Sequence, residues 1–432
     1  MARKSATAAG QRQRKGGLGQ ILGPGLVTGA SDDDPSGIAT YSQAGASFGY
    51  ALGWTLVLTY PLMVAVQMIS ARVGRTTGVG IAANLRKYTP RWLLLAIVLP
   101  LLLANVANLG ADLGAMADAA GLVTGLSPKL FLPLFAIFCA VMEVVVSYAA
   151  YARVLKWLAI ALLPYVLTLF LVHIDWRAAF AGIAIPSVSL NTESLMMVVA
   201  IFGTTISPYL FFWQASQEAE EIVQRPTRQP LALAPKQGRK ALRRIGLDTI
   251  AGMAASNLVA LAILFTTAAT LHNGAGAGEI ESSAQAAQAL RPIAGDFAFA
   301  LFALGIIGTG LLAVPVLAGS AAYAVGEALQ WPTGLERKPL DAKAFYATIA
   351  AATAIGMALN FMPINPIRAL VWTAVVNGVV AVPVMAIMML LARRRDVMGT
   401  FVVRGPLAWL GWLATALMAA SVVAMAVTGL KG

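Results

Sequence analysis

The sequence has little cysteine, little histidine and little charge. Its 432 residues include one cysteine, Cys139, and two histidines, His173 and His272. A single cysteine excludes an intramolecular disulfide and any metal cluster built on cysteine ligands. Charged residues make up 12% of the chain, whereas they make up roughly a quarter of a typical soluble domain. The composition therefore excludes an ordinary soluble domain.

Several chemical motifs are also missing. No phosphate-binding loop, zinc-ligand spacing or nucleophile triad occurs, so we expect neither a primary pump nor a membrane enzyme, and no cofactor. A net charge of +12 can accompany nucleic-acid binding. Here the basic residues lie in short clusters between apolar stretches, which is the pattern that orients a membrane protein. The expected partner is the lipid bilayer and not nucleic acid.

Long hydrophobic runs are what the sequence does contain. Hydrophobic residues make up 59% of the chain, and their runs have the length of about 20 residues that a helix needs to cross a bilayer. We predict an all-α polytopic membrane protein with about eleven spans, at residues 21–45, 50–73, 92–122, 130–151, 155–172, 194–217, 247–271, 297–329, 344–361, 367–392 and 407–430.

The basic clusters predict an orientation. One cluster precedes the first span, and further clusters follow each even-numbered span. Because positively charged loops stay on the cytoplasmic side, we expect the basic tail 1–20 to be cytoplasmic and the C-terminus to lie outside. The longest basic stretch, the linker 224–246, divides the chain a little past its midpoint.

The first span is interrupted by the sequence Ser-Asp-Asp-Asp-Pro-Ser-Gly at residues 31–37. Pro35 has no backbone N–H, so the carbonyl of Ser31 lacks a helical partner beside a run of acids. Acidic residues inside a membrane span usually mark an ion pathway, and exposed carbonyls at membrane depth can coordinate cations. The pattern predicts a cation site at Asp34, with an ordinary loop outside the bilayer as the alternative.

The sixth span carries a second break, Gly-Thr-Thr-Ile-Ser-Pro-Tyr at residues 203–209. Pro208 frees the carbonyl of Thr204 by the same mechanism. Because five spans separate the two breaks, the two halves of the chain would be inverted relative to each other. Interrupted helices at corresponding places in two halves point to the central site of a transporter, and the half-helix C-termini would aim partial negative charge at a cation.

The residues around both breaks resemble the NRAMP family of divalent-metal transporters. The similarity lies in Gly23-Pro24-Gly25, in residues 34–37, in 43–46 with 49–50, and in 203–209. It implies the LeuT-type fold, in which residues 21–172 (TM1–TM5) and 194–392 (TM6–TM10) form two inverted five-helix repeats, helices 1 and 6 are broken, and 407–430 is an extra helix, TM11.

The departures from the family pattern concern the metal ligands. The family has Asp-Pro-Gly-Asn in its first helix, and here the asparagine position is Gly37. It has Met-Pro-His in its sixth helix, and here these positions are Ser207, Pro208 and Tyr209. A site without the methionine sulfur is harder and suits Mg²⁺, Ca²⁺ and Mn²⁺, and a roomier site suits Mg²⁺ with retained waters. The chain resembles the NRAMP-related magnesium transporter branch.

The family's proton route is also altered. Asn105 and Ala115 stand where the family has glutamates on its third helix, and only Asp112 remains there. Tyr209 and Gln214 replace histidines of the sixth helix. A proton relay needs groups that titrate near the working pH, so we expect transport without proton coupling.

The predicted metal site comprises Asp34 and its neighbours across the two breaks. Its expected members are Asp34, Thr204, Ser207, Ser31, Gly37 and Asn377. The pathway around it is assigned to Asp32, Asp33, Tyr209, Asn105, Asp112 and Gln214. For Asp32 and Asp33 a contact with bulk water remains an alternative, and for Asp112 a purely structural contact within the bundle.

The predicted function is import of Mg²⁺ and Mn²⁺ across a bacterial plasma membrane by alternating access. The chain would act as a monomeric secondary transporter with the divalent cation as its substrate. Three alternatives remain open: a proton-coupled importer of Mn²⁺ and Fe²⁺, a carrier of amines or amino acids with the same fold, and a cation channel.

Overall fold

A computed structural model describes residues 24–146, 163–187, 189–225, 227–272, 280, 282–291, 295, 298–363 and 365–430. The predicted basic tail 1–20, the start of the first span at residue 21 and the predicted junction 151–155 between the fourth and fifth spans lie outside these residues. Every helix boundary given below belongs to the described part of the chain.

The regular elements of the described residues are all helices, seventeen α-helices and two short 3₁₀ turns. The 3₁₀ turns are Pro235–Gln237 and Gly399–Phe401. The α-helices are α1 (Pro24–Asp32), α2 (Pro35–Phe48), α3 (Gly53–Thr77), α4 (Ile81–Tyr88), α5 (Arg91–Thr124), α6 (Pro128–Val145), α7 (Leu163–Leu171), α8 (Trp176–Ala184), α9 (Thr192–Thr205), α10 (Pro208–Gln224), α11 (Gly238–Thr270), α12 (Ser283–Gln288), α13 (Ala298–Leu329), α14 (Lys343–Leu359), α15 (Pro366–Arg393), α16 (Arg395–Met398) and α17 (Gly405–Gly429).

These helices account for the predicted spans. Eight helical segments of the described chain are long and apolar enough to cross a membrane, and they match spans two, three, four, six, seven, eight, ten and eleven. The first span is the broken pair α1 and α2, the ninth is the shorter α14, and α7 occupies part of the fifth. The all-helical class is therefore confirmed, and helices of the described chain lie within each of the eleven predicted spans.

Both predicted breaks are present. Helix α1 ends at Asp32 and α2 begins at Pro35, whereas α9 ends at Thr205 and α10 begins at Pro208. Each proline occupies the first turn of the second half-helix, where its missing N–H costs no helical hydrogen bond. Proline therefore both stops the first half-helix and starts the second, which leaves a short extended segment between them.

Helices α1 and α11 touch backbone to backbone. A Cβ atom on Gly29 would lie 2.3 Å from the carbonyl carbon of Gly252, so only glycine fits there. The backbone N–H of Gly25 also donates to Asp248 Oδ2 at 2.8 Å. Small residues allow such close helix packing inside a membrane, and the contact holds the end of α1 against the middle of α11.

Helix α11 begins within the stretch predicted as a linker. It starts at Gly238, and its Arg244 forms ion pairs with Glu218 at 2.5 Å and with Glu221 at 3.3 Å. The basic residues of this stretch are therefore partly helical and lie against the end of α10. This side of the bundle, with Arg86, Arg228, Arg244 and Arg337, is called the basic end below.

The α1–α11 contact generates a stability prediction. Gly252→Ala places a methyl group 2.5 Å from the Gly25 carbonyl oxygen, and we expect this overpacking to cost about 1–3 kcal/mol. The matched control is Gly246→Ala on the same helix, where the nearest atom is Met68 Cε at 3.4 Å. Thermal unfolding of the detergent-purified protein should show a lower midpoint for Gly252→Ala and no decrease for Gly246→Ala. Equal midpoints would contradict the close contact.

Candidate cation site

The Asp34 carboxylate lies in the gap between α1 and α2 and is only 2% exposed. Its Oδ1 atom accepts the backbone N–H of Gly37 at 2.7 Å, as the N-cap of α2. Its Oδ2 atom lies 3.1 Å from Asn108 Nδ2 and 3.2 Å from the Tyr209 hydroxyl. Three elements, α2, α5 and α10, therefore fix the orientation of one buried carboxylate. The alternative of a loop outside the bundle does not fit this burial.

The two carbonyls predicted to be free have side-chain partners. The Ser31 carbonyl accepts the Tyr209 hydroxyl at 3.1 Å, and the Thr204 carbonyl accepts the Ser207 hydroxyl at 2.7 Å. Both lack a helical partner, as Pro35 and Pro208 predict, but neither is unpartnered. Each carbonyl oxygen has two lone pairs, so one remains for a cation. The single Tyr209 proton is also shared between Ser31 and Asp34, which leaves both oxygens rich in negative charge.

Gly37 lets α2 come close to the opposite half-helices. A Cβ atom at this position would lie 3.2 Å from Thr204 Oγ1 and 3.3 Å from the Asp32 carbonyl oxygen, which is tight packing. The Thr204 hydroxyl therefore lies against α2 in the gap beside Asp34. The glycine allows this close approach of α9 and α2.

Asn377 lies on α15, next to the same region. It is 1% exposed, and its Oδ1 atom has no hydrogen-bond partner among the described residues. The following residue, Gly378, meets α9: a Cβ on Gly203 would lie 2.5 Å from the Gly378 nitrogen. No described hydrogen bond joins Asn377 to Asp34, so its place in the ligand set stays a prediction.

Asp112 belongs to the site, whereas Asn105 points away from it. Asp112 is fully buried and interacts electrostatically with Asp34 and with the backbone N–H of Ser36. Asn105 Nδ2 lies 3.4 Å from the Leu317 carbonyl on α13. Gln214 is likewise engaged elsewhere, because its Nε2 atom donates to Thr249 Oγ1 at 3.2 Å.

Asn108 is one of two residues near the acids that the sequence analysis missed. It lies one helical turn before Asp112, and residues four apart share one face of a helix. That spacing was the available signal, because it places an amide donor and a carboxylate side by side on α5. The spacing alone does not predict which face of α5 contacts Asp34.

Asp32 and Asp33 are buried against α11. They are 1% and 2% exposed, and the Ser256 hydroxyl lies 2.7 Å from Asp32 Oδ2 and 3.2 Å from Asp33 Oδ1. The alternative in which these acids face bulk water does not fit this structure. Ser256 is a second residue that the sequence analysis missed.

The chemistry of the site is that of hard oxygen ligands. Within the described ranges, no three side chains of His, Cys, Asp or Glu converge as a metal cluster would require. An ion at Asp34 would therefore be held by one or two carboxylates together with carbonyl and hydroxyl oxygens. Such oxygen ligands suit Mg²⁺, Ca²⁺ and Mn²⁺.

Comparison with known proteins gives a family match over nearly the whole chain. A family model described as Nramp, natural resistance-associated macrophage protein-like, matches residues 25–428. The chain is 26% identical over 400 residues to the divalent metal cation transporter MntH of Acidiphilium cryptum, which covers 89% of this chain and 85% of that protein.

Solved structures show the same fold. A mutant of the Eremococcus coleocola manganese transporter superposes with a TM-score of 0.74 at 16% identity, covering 98% of this chain and 88% of that one. MhsT in complex with L-phenylalanine superposes with a TM-score of 0.59 at 13% identity, covering 98% and 99%. These likenesses concern the fold alone, and they confirm the LeuT-type architecture with helices 1 and 6 broken.

The contacts of Asp34 generate a binding prediction with a matched control on α5. Asn108→Leu removes a donor to Asp34, whereas Asn105→Leu changes a buried asparagine that faces α13. A cation at 100 times its Kd stabilises a protein by about 2.7 kcal/mol. We expect Mg²⁺ or Mn²⁺ to raise the thermal midpoint of the unaltered chain and of Asn105→Leu, and to raise that of Asn108→Leu much less. The reverse order would exclude Asn108 from the site.

Proposed function

Since this chain belongs to the Nramp family, we propose that it is a secondary transporter of divalent metal cations, with Mg²⁺ and Mn²⁺ as its substrates. The observation that carries this proposal is the buried Asp34 carboxylate in the gap between two half-helices, opposite the second gap at Thr204 and Ser207. A carboxylate buried without a basic partner is costly. A divalent cation bound there would offset that cost.

The ligand types favour a hard cation. Asp34 supplies the anionic oxygen, Ser31 and Thr204 supply carbonyl oxygens, and Ser207 and Thr204 supply hydroxyls. Mg²⁺ loses its waters reluctantly and usually keeps several of them. The groups around Asp34 include no sulfur or imidazole ligand among the described residues, which supports a hard cation such as Mg²⁺ over a softer metal.

The closure of the site supports alternating access over an open channel. A cavity of about 340 Å³ lies at the basic end, lined by residues that include Glu220, Glu327 and Arg337. Another cavity of the described chain, beside Ser42 and Ile306, is only about 10 Å³. Asp34 lines neither cavity and is 2% exposed, so movement of the ion would require a conformational change.

The orientation of the chain follows from the basic end. Because Arg86, Arg228, Arg244 and Arg337 gather there, this end would face the cytoplasm. The carboxylates of Glu220 and Glu327 in its cavity would receive cations that leave Asp34. The N-terminus would then be cytoplasmic and the C-terminus outside a bacterial plasma membrane, with one chain as the working unit.

Absence of proton coupling is the next part of the proposal. The two histidines, His173 and His272, both line a cavity of about 650 Å³ near Tyr50 and Asp175, and neither contacts Asp34. This arrangement leaves no imidazole for a proton relay at the cation. The second candidate is a proton-coupled importer of Mn²⁺ and Fe²⁺, and the buried carboxylate of Asp112 beside Asp34 favours it.

Uptake into proteoliposomes tests the central proposal. We expect saturable Mg²⁺ uptake, followed with an internal Mg²⁺-sensitive dye, that Mn²⁺ competes for. Asp34→Ala should reduce the rate at least about tenfold, because each lost 1.4 kcal/mol of binding is a factor of ten. The matched control, Asp341→Asn, changes an exposed aspartate and should leave the rate unchanged. Competition by Cd²⁺ far stronger than by Mn²⁺ would contradict a hard site, and competition by an organic amine would favour the carrier.

An internal pH dye separates the two coupling candidates. Uncoupled transport predicts Mg²⁺ uptake without acidification of the vesicle interior, in the unaltered chain and in Asp112→Asn alike. A robust metal-dependent acidification that Asp112→Asn abolishes would overturn the uncoupled proposal and establish the second candidate.

A further inference from the structure

Four buried carboxylates surround the end of α1. Asp32, Asp33, Asp34 and Asp112 are each at most 2% exposed. In the part of the chain that the structure describes, the ion pairs join arginines to Glu218, Glu221 and Asp396, and none includes these four aspartates. Uncompensated buried charges are costly, so these acids are either protonated or balanced by bound cations.

One divalent cation balances only two of these acids in their ionised form. An ion at Asp34 carries two positive charges, and Asp34 with the neighbouring Asp112 would supply two negative ones. Asp32 and Asp33 are close enough to repel each other and Asp34 when they are ionised. A second cation near Asp32 and Asp33 would allow both of them to ionise.

Not every carboxylate oxygen of Asp32 and Asp33 can receive a hydrogen bond from the described residues. The Ser256 hydroxyl has a single proton, yet it lies within hydrogen-bond distance of both Asp32 and Asp33. Asp32 Oδ1 has no described hydrogen-bond partner. At least one oxygen of this carboxylate pair is therefore free to ligate an ion.

A separate residue, Tyr41, also faces the cluster. Its hydroxyl is completely buried. It lies within reach of the Thr204 side chain and interacts electrostatically with Asp32, Asp33 and Asp34, and its ring lies 3.4 Å from the position of a Cβ on Gly37. A buried hydroxyl oxygen that faces three carboxylates is a further sign of a position for a cation.

We propose that a second hard cation binds between α1 and α11, held by the carboxylates of Asp32 and Asp33 and by the hydroxyl oxygen of Ser256. The proposal rests on the proposed function, because it counts the charge of an ion at Asp34. The all-oxygen ligands suit a hard cation, either a second divalent ion or a monovalent ion such as Na⁺. The negative end of the α1 dipole, which lies at Asp32, adds to the attraction.

The position of this second site links it to the packing of α1. Ser256 lies one helical turn beyond Gly252, which touches Gly29, and two turns beyond Asp248, which bonds to Gly25. A cation bridging Asp32 and Asp33 to Ser256 would extend this contact to the last turn of α1. Its occupancy would therefore hold α1 against α11.

Equilibrium binding to the full chain in detergent tests the second site. Mg²⁺ is titrated by calorimetry, once in buffer with choline as the only monovalent cation and once with Na⁺, and Na⁺ is titrated alone. A second divalent ion predicts two Mg²⁺ per chain in choline, whereas a monovalent ion predicts one Mg²⁺ and a separate Na⁺ event. In both cases the affinity of the second cation should fall at least tenfold in Asp32→Asn and in Ser256→Ala. Binding of this second cation should persist in Asp34→Ala.

The matched control is Asp248→Asn, which alters another carboxylate of the α1–α11 interface and should keep both events. Unchanged elution and thermal midpoints of the variants without cation would show that they fold. A single Mg²⁺ event that is independent of Na⁺ and unaffected by Asp32→Asn would overturn the second site and leave the proposed function standing. No binding of Mg²⁺ or Mn²⁺ to the unaltered chain would overturn the proposed function, while Na⁺ binding lost in Asp32→Asn would still support the second site.

Discussion

The structure depends on keeping the Asp34 carboxylate buried inside an apolar bundle. The Gly37 backbone, the Asn108 amide and the Tyr209 hydroxyl each donate or lie within donating distance of it. Because these groups come from three different helices, the carboxylate also ties those helices to one another. A bound cation would compensate the charge that neutral donors leave in place. The helix breaks and close helix contacts serve to hold this arrangement.

The two prolines leave polar backbone groups without helical hydrogen bonds inside a bundle that is otherwise apolar. Pro35 and Pro208 interrupt helices whose breaks meet near Gly37 and Thr204, so helix ends with their partial charges lie close to each other at the site. The Ser31 and Thr204 carbonyls exposed by the breaks are bonded by the Tyr209 and Ser207 hydroxyls. Local hydroxyl donors therefore stabilise the broken helices before any ion binds, and a cation would use the remaining lone pairs.

Charge is distributed along the bundle in two distinct ways. At the basic end, Arg228 and Arg244 pair with Glu221 and Glu218, so charge is balanced within the chain. Around Asp34, acids accumulate without basic partners in the described residues. Arginines can balance the acids in parts of the bundle that only support the structure. In a cation-binding site, a fixed positive charge would compete with the cation for the same carboxylates. The unbalanced acids therefore mark the part of the bundle in which the proposed cations would bind.

The sequence by itself determined the eleven spans and the two breaks, because span length, apolar composition and the missing N–H of proline act within a few residues of the chain. It also pointed to Asp34, since an acid beside such a break is unusual. Only the tertiary structure decided which side chains meet it. Asn108, Ser256 and Tyr41 lie beside the acids. Asn105 instead contacts α13, and Gln214 contacts α11. These contacts depend on the rotation of one packed helix against another. That rotation is set by close contacts such as Gly29 with Gly252, between residues more than two hundred positions apart, and no local pattern encodes it.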